Sequence, residues 1–203
     1  VNMNKIKRIL AFFLCFVMVF LLCGCGEKEA HTGEMYAMGT DVTFICYGKQ
    51  GEKGVNAAAA VVKSLDDMLD PEKSYSTVYQ MNHANGQSTV ISTQIAEMLN
   101  TAKQVYDNTG GALDLTIYPL VKMWGFVNNA YYEPAEEDIL AGMERLCFDK
   151  ITMTAYANTG TYSVIMPAEA EITFAACGRG CASAYAIEAM KKAGVESGLV
   201  SMR

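Results

Sequence analysis

The residues best suited to chemistry in this 203-residue chain lie in one run between Gly110 and Phe126. The run reads GGALDLTIYPLVKMWGF, and it contains a glycine pair, a carboxylate at Asp114 and the only tryptophan, Trp124. Its apolar residues follow neither the period of a strand nor the period of a helix. An irregular run that mixes Gly, Pro and aromatic residues is typical of a loop that shapes a binding site.

Two features of this run favour contact with a ligand. The pair Gly110-Gly111 allows the backbone to approach a ligand closely, and Asp114 can accept hydrogen bonds from NH or OH groups. The alternative is that Asp114 is a turn carboxylate bonded to nearby backbone N–H groups. We expect Trp124 and Phe126 to pack beneath the site without touching the ligand.

Three other segments resemble, together with this run and in the same order, the motifs of the ApbE family, the FAD:protein FMN transferases. They are Met38-Gly39-Thr40, the loop DPEKSYSTVYQMN over residues 70–82, and ITFAACGRGCASA over residues 172–184. The resemblance covers residues 38–200. It implies a Mg²⁺-dependent enzyme that cleaves FAD, attaches FMN to a threonine hydroxyl of an acceptor flavoprotein, and releases AMP.

The resemblance also implies where the flavin binds. Met38 would line the flavin pocket, although by itself this position is equally typical of a strand entry with a glycine bulge. Tyr75 would stack on FAD, and its alternative is an exposed loop tyrosine. The triplet Ala112, Leu113 and Asp114 would contact the flavin.

In the segment 172–184, an ungapped alignment places Thr173 at a family aspartate and Arg179 at a family lysine. Both are implied FAD-binding positions, with Arg179 meeting the pyrophosphate. Ala176 stands where the family offers a backbone carbonyl to Mg²⁺. No residue is assigned as catalytic, and His31 and His83 receive no catalytic role.

Two departures from the family pattern keep other interpretations open. Thr173 lacks the charge of the family aspartate, and the sequence stops at Arg203, before the Gly-Gly-Asn turn and the Asp…Asp-Thr metal cluster of the family. We therefore expect a C-terminally truncated domain. A non-catalytic FAD-binding lipoprotein, an inactive fragment, and a Mg²⁺-dependent FAD pyrophosphatase remain alternatives.

The N-terminal segment resembles a lipoprotein signal. A basic start precedes the unbroken apolar run Ile9–Leu22, and a lipobox follows in which Cys25 would be lipidated. An ordinary signal peptide or a membrane anchor is the alternative. We expect residues 1–24 to be the signal peptide and residues 25–33 a polar tether, with the domain held by lipid on the outer face of a bacterial cell membrane. The acceptor would then be a respiratory or extracytoplasmic flavoprotein.

The composition limits the partners and the cysteine chemistry. A net charge of −6 argues against nucleic acid. The cysteines of the expected domain have no spacing typical of a disulfide framework. Cys177-x-x-x-Cys181 is a weak metal signal, and we expect both residues to be small buried apolar groups.

The periodicity predicts an α+β fold over residues 34–203, with a mixed or antiparallel sheet, packed helices and an ApbE-like, T-fold-related architecture. Helices are predicted from Val55 to Asp70, from Ser92 or Thr93, from Pro134, and over Ser183–Lys192. The segment 74–86 is predicted as an irregular loop. Strands are predicted over residues 36–47, 151–155, 161–166, 171–175 and 195–200.

Overall fold

The computed structural model describes residues 3, 13, 29–157 and 159–203. The predicted signal peptide, apart from the single positions 3 and 13, and the predicted lipidation site Cys25 lie outside the described residues. Within the described residues, no helix combines the length and the apolarity needed to cross a membrane.

The first sheet contains three antiparallel strands in the order β1-β2-β6: β1 (Ala30–Ala37), β2 (Thr40–Tyr47) and β6 (Ser197–Met202). The predicted single strand over residues 36–47 is wrong, because Met38 and Gly39 form a two-residue turn between β1 and β2. Their φ angles of 54° and 72° suit the twist of a tight hairpin. Strand β1 also includes residues 30–33, which were expected to belong to the tether, because all of them pair with β2.

Helix α1 (Gly51–Leu69) covers this sheet together with α6 (Gly178–Lys192). The buried side of α1 has helical spacing, as predicted. Its buried apolar residues are Val55, Ala58, Val62, Leu65 and Leu69. The helix ends at Asp70, whose ψ of 114° is extended. This end was predicted, because the residue before a proline avoids the helical region.

The second sheet is also antiparallel and has the order β3-β5-β4, with β3 (Thr89–Ser92), β4 (Thr152–Ala155) and β5 (Thr161–Ile165). The predicted hairpin of β4 and β5 is confirmed. Helix α3 (Thr93–Asn108) follows β3 directly. Its N-cap is Ser92, whose Oγ accepts a hydrogen bond from the backbone N–H of Ile95 at 3.3 Å.

Shorter elements connect the two halves. They are α2 (Thr77–Asn82), a 3-10 helix (Leu115–Ile117), α4 (Tyr118–Met123), α5 (Glu136–Met143) and a second 3-10 helix (Phe148–Lys150). Helix α2 lies in the segment predicted as an irregular loop. The missed signal was Ser76, whose Oγ accepts a hydrogen bond from the Tyr79 backbone N–H at 2.9 Å and caps the helix.

Two predictions in the last third of the chain are wrong. Helix α6 begins at Gly178, five residues before Ser183. Residues 171–175 form no strand, because a side chain takes the place of a neighbouring strand. Asn82 Oδ1 accepts from the Ile172 backbone N–H at 2.8 Å, and Asn82 Nδ2 donates to the Ile172 carbonyl at 3.0 Å. The α+β class itself is confirmed, and the buried apolar residues of both sheets belong to one core.

Candidate functional site

A cleft of about 490 Å³ opens where the β1–β2 turn, the end of α1 and the start of α6 meet. Its lining residues are Met38, Gly39, Asp66, Leu69, Asp70, Pro71, Phe126, Thr173, Phe174, Ala175, Gly178 and Arg179. Three residues that were implied as FAD-binding, Met38, Thr173 and Arg179, therefore share one cavity, although they lie up to 141 positions apart in the sequence. The binding roles of these residues stay predictions.

The β1–β2 turn is held against the cleft by α1 and α6. The Met38 backbone N–H donates to Asp66 Oδ1 at 2.6 Å, which fixes the turn to the last part of α1. On the other side, Gly178 lies so close that an added Cβ would be 3.1 Å from Met38 Cε. A glycine at this position therefore allows the start of α6 to approach the methionine.

The Thr173 wall of the cleft is fixed by hydrogen bonds from distant parts of the chain. Besides the two bonds of Asn82 to Ile172, the Thr173 backbone N–H donates to the Leu115 carbonyl at 2.9 Å. Thr173 is only 5% exposed, and its Oγ1 accepts from the Ala175 backbone N–H at 3.2 Å. The hydroxyl thus already has a partner inside the protein. Asn82 therefore positions the Thr173 wall through its bonds to Ile172. It is the last residue of the 70–82 motif, and no role was predicted for it from the sequence.

The start of α6 forms the positive side of the cleft. A helix N-terminus carries unpaired N–H groups and a partial positive charge, and both favour an anion. Gly178 and Arg179, in the first turn of this 15-residue helix, line the cleft, and the Arg179 side chain is exposed to it. This arrangement suits a phosphate or pyrophosphate group.

The end of α1 forms the acidic side of the cleft, which the sequence reasoning did not identify. Asp66 and Asp70 line the cavity, and the Lys73 ammonium lies 3.4 Å from a carboxylate oxygen of each and 3.6 Å from Asp67 Oδ1. Partial burial alone would lower the pKa of Lys73, but attraction to Asp66 and Asp70 outweighs it and raises the pKa. The lysine therefore stays charged and neutralises part of this acidic wall.

The other implied flavin contacts lie outside the lining of the cleft. Tyr75 is 64% exposed, and its hydroxyl donates to Asp67 Oδ1 at 3.4 Å. Ala112 is exposed, and Leu113 packs at the edge of the core. Asp114 Oδ1 accepts from the backbone N–H of Thr116 at 2.7 Å and from its hydroxyl at 2.5 Å. Asp114 therefore acts as a turn carboxylate in this structure, while its contact with the flavin stays a prediction. The next residue, Leu115, is joined to the Thr173 wall through its carbonyl.

Trp124 and Phe126 do not share the position expected for both. Phe126 lines the cleft, is 56% exposed and stacks on Trp124, with 6.4 Å between the ring centroids. Trp124 lines a second, apolar cavity, which Phe126 also lines. Phe126 was expected to lie beneath the site, but the glycine turn at Gly125, with φ of 75°, brings its ring to the cavity wall.

The cysteines and the predicted metal position have separate surroundings. Cys177 and Cys181 are partly buried and in contact with each other. The pKa of Cys177 is raised to about 11, mainly by burial and to a lesser extent by the neighbouring Cys181. Ala176 lies in the exposed turn before α6. Across the described residues, no group of three or more His, Cys, Asp or Glu side chains could hold a metal ion.

Taken together, the fold and the cleft define an α+β domain with a cavity that has a cationic helix N-terminus on one side and carboxylates on the other. The model of the ApbE family matches residues 38–203. The chain belongs to the ApbE family.

Individual relatives agree with this assignment. A FAD:protein FMN transferase of Salmonella typhimurium is 27% identical over 125 residues, which cover 56% of this chain and 36% of the relative. One of Vibrio cholerae is 24% identical over 159 residues, covering 70% of this chain and 47% of the relative. The crystal structure of the ApbE protein of Thermotoga maritima superimposes with a TM-score of 0.75 at 17% identity, covering 86% of this chain and 57% of that one. The chain thus spans less than half the length of these two curated relatives.

Proposed function

We propose that the cleft binds FAD and that the protein transfers FMN from FAD to a threonine hydroxyl of an acceptor flavoprotein, with release of AMP. The observation that carries the proposal is the convergence of Met38, Thr173 and Arg179 in one cavity at the N-terminus of α6. The names of the curated relatives support the same activity. The acceptor is proposed to be a respiratory or extracytoplasmic flavoprotein.

In this reaction the threonine oxygen attacks the phosphorus of the FMN half of FAD. A new P–O bond to threonine forms, and the bond between the FMN phosphorus and the oxygen that bridges to AMP breaks. AMP leaves with the bonding electrons, and the proton of the threonine hydroxyl passes to solvent. Negative charge is spread over the pyrophosphate during such a transfer. In this proposal the Arg179 guanidinium and the N–H groups at the start of α6 bind that charge and stabilise the transition state most, because the charge is greatest there.

Mg²⁺ is part of the proposal only as an expectation from the family. The Ala176 carbonyl is the one ligand position proposed for it. Mg²⁺ requires a near-octahedral set of oxygen ligands, and no step above depends on the metal.

A second candidate function is FAD binding without transfer. The observation that favours it is Thr173, which replaces the charge of the family aspartate with a hydroxyl that already accepts a hydrogen bond from Ala175. A hydrogen bond to a charged group contributes roughly 1.5–3 kcal/mol, so this replacement is expected to lower the affinity for FAD. It does not remove the cationic side of the cleft.

One set of measurements separates these functions. The protein is titrated with FAD while flavin fluorescence is followed, and is then incubated with FAD, Mg²⁺ and an apo acceptor flavoprotein. Covalent flavin on the acceptor together with AMP supports the proposal. Free FMN and AMP without protein labelling would indicate the pyrophosphatase, binding without turnover would indicate the non-catalytic protein, and absence of FAD binding would overturn both.

We further propose that Cys25 carries lipid and anchors the domain at the outer face of a bacterial cell membrane. The support is the order of basic, apolar and lipobox residues in the sequence, ending in Cys23-Gly24-Cys25. Metabolic labelling with palmitate tests it. Incorporation that is lost in Cys25→Ala, but kept in the matched variant Cys23→Ala, is the expected result, and equal labelling of both variants would contradict the assignment.

A further inference from the structure

Helix α5 carries an apolar face that the described part of the chain leaves uncovered. Leu140 and Met143 are 55% and 53% exposed, and the helix has no buried residue. The helix is nevertheless docked on α4, because Gly142 allows an approach in which an added Cβ would lie 2.5 Å from Leu120 Cδ2. An amphipathic helix that is docked but exposes apolar side chains is typical of a binding surface.

Met143 of this face, together with Ile139, forms one wall of an apolar cavity of about 320 Å³, which we name the α4–α5 groove. All of its lining residues are apolar, and they include Leu120, Trp124, Phe126, Ile139 and Met143. Phe126 lines both the groove and the cleft. A segment bound in the groove would therefore reach the cleft at Phe126.

The surroundings of the groove are strongly acidic. Residues 133–145 contain five carboxylates, Glu133, Glu136, Glu137, Asp138 and Glu144, against the single cation Arg145, and all six side chains are exposed. Anionic lipid headgroups would be repelled by this charge. A second copy bound by two-fold symmetry would bring the same carboxylates together, because such an interface pairs one patch with itself. The charge instead complements a basic segment of a different protein.

We propose that the α4–α5 groove is the docking site of the acceptor protein, and this inference rests on the proposed transfer of FMN. The acceptor segment places an apolar side chain in the groove, carries Lys or Arg beside it, and presents its threonine to the cleft across Phe126. The groove thus supplies binding energy from a part of the acceptor that does not react. Such remote contacts orient the reacting hydroxyl.

The inference is tested with a pair of short fluorescent peptides, each with a threonine near a Leu-Phe pair. They differ only in their flanking residues, which are lysine in one peptide and glutamate in the other. Binding is measured by fluorescence anisotropy without FAD, and covalent flavin transfer is measured separately. We expect the lysine peptide to bind more tightly, with an affinity that falls as salt rises, because exposed charges are screened.

Groove variants locate the binding. Ile139→Ser and Met143→Ser are expected to weaken binding of the lysine peptide about tenfold each, since burial of one such side chain contributes roughly 1.5–3 kcal/mol and 1.4 kcal/mol is tenfold. The matched control is Leu199→Ser, because Leu199 is 52% exposed on β6, outside the groove. Glu136→Gln with Glu137→Gln should remove most of the preference for lysine.

Each outcome decides between occupants. Equal binding by the groove variants and by Leu199→Ser would overturn the inference, as would equal affinity for the two peptides. If neither peptide binds, and the groove variants alone lose binding to lipid vesicles, the groove is assigned to a membrane. If neither peptide binds, and the groove variants alone lose self-association in sedimentation, the groove is assigned to a second copy of the protein. Separate FAD titrations distinguish the two proposals. Peptide binding at the groove by a protein that does not bind FAD would contradict the proposed function. FAD binding by a protein whose groove variants bind the peptide normally would contradict only the docking site.

Discussion

The Thr173 wall of the cleft and the α4–α5 groove use their side chains in opposite ways, although Phe126 lines both cavities. In the wall, polar groups from distant segments are paired inside the protein, as in the two bonds between Asn82 and Ile172. In the groove, apolar side chains such as Met143 remain exposed. The wall therefore holds a shape before a ligand arrives, which lowers the entropic cost of binding. The groove instead keeps apolar area that a partner can bury.

The largest effect on stability is expected from Asn82→Ala, which tests whether the wall is held from within. It leaves the N–H and the carbonyl of Ile172 without partners in a buried site, and each unpaired group costs about 1–3 kcal/mol. We expect the free energy of unfolding, measured by urea denaturation, to fall by about 2–4 kcal/mol. The exposed control Asn56→Ala should change stability little, and an Asn82→Ala variant as stable as this control would contradict the positioning role.

A smaller effect, on ligand binding and not on stability, is expected from Arg179→Ala. The side chain is exposed at the cleft, so its removal leaves the fold intact. Loss of a charged hydrogen bond to pyrophosphate should weaken FAD about tenfold or more in a fluorescence titration. Arg179→Lys keeps the charge but not the planar fork, and should lose less. Unchanged FAD affinity in Arg179→Ala would place the pyrophosphate elsewhere.

The acidic side of the cleft gives a pH-dependent prediction. The raised pKa of Lys73 means that its attraction to Asp66 and Asp70 stabilises the folded state fully below the ordinary value of 10.5 and is lost as the pH rises through the higher folded value. The side chains are partly exposed, so Lys73→Gln should cost no more than about 1 kcal/mol at neutral pH. Thermal unfolding of the two proteins should converge only above pH 10.5. Lys63→Gln is the control, because Lys63 is 68% exposed and its ion pair is with Asp67. We expect this variant to lose less stability than Lys73→Gln.

The smallest stability change is expected in the groove itself. Met143 is 53% exposed, so Met143→Ser should alter the free energy of unfolding by no more than about 0.5 kcal/mol, as surface substitutions usually do. Urea denaturation beside Asn82→Ala compares the two regions directly. A loss of about 2 kcal/mol in Met143→Ser would show that the groove is part of the core, and the contrast between wall and groove would fail.

Local patterns accounted for the elements whose signals lie within a few neighbouring residues. The helical stripe of α1, the stop at Asp70-Pro71 and the cap at Ser92 each depend on such short-range effects, and each was predicted correctly. The hairpin turn at Met38-Gly39 was missed, although two local signals mark it: Gly39 has a positive φ, and the inward-facing positions change from odd numbers in β1 to even numbers in β2. The strand predicted over residues 171–175 failed because its hydrogen-bond partner is a side chain 90 positions away.

By itself, the sequence determined the α+β class, the family, and the identity of Met38, Thr173 and Arg179 as site residues to examine, because these rest on residue types in a fixed order. Only the tertiary structure decided which of the implied residues share the cleft. It brought Asp66, Asp70 and Phe126 into the lining, while Tyr75 stayed outside it. The physical reason is that a cavity is formed by packing and hydrogen bonds between distant segments, and such contacts leave no regular spacing along the chain.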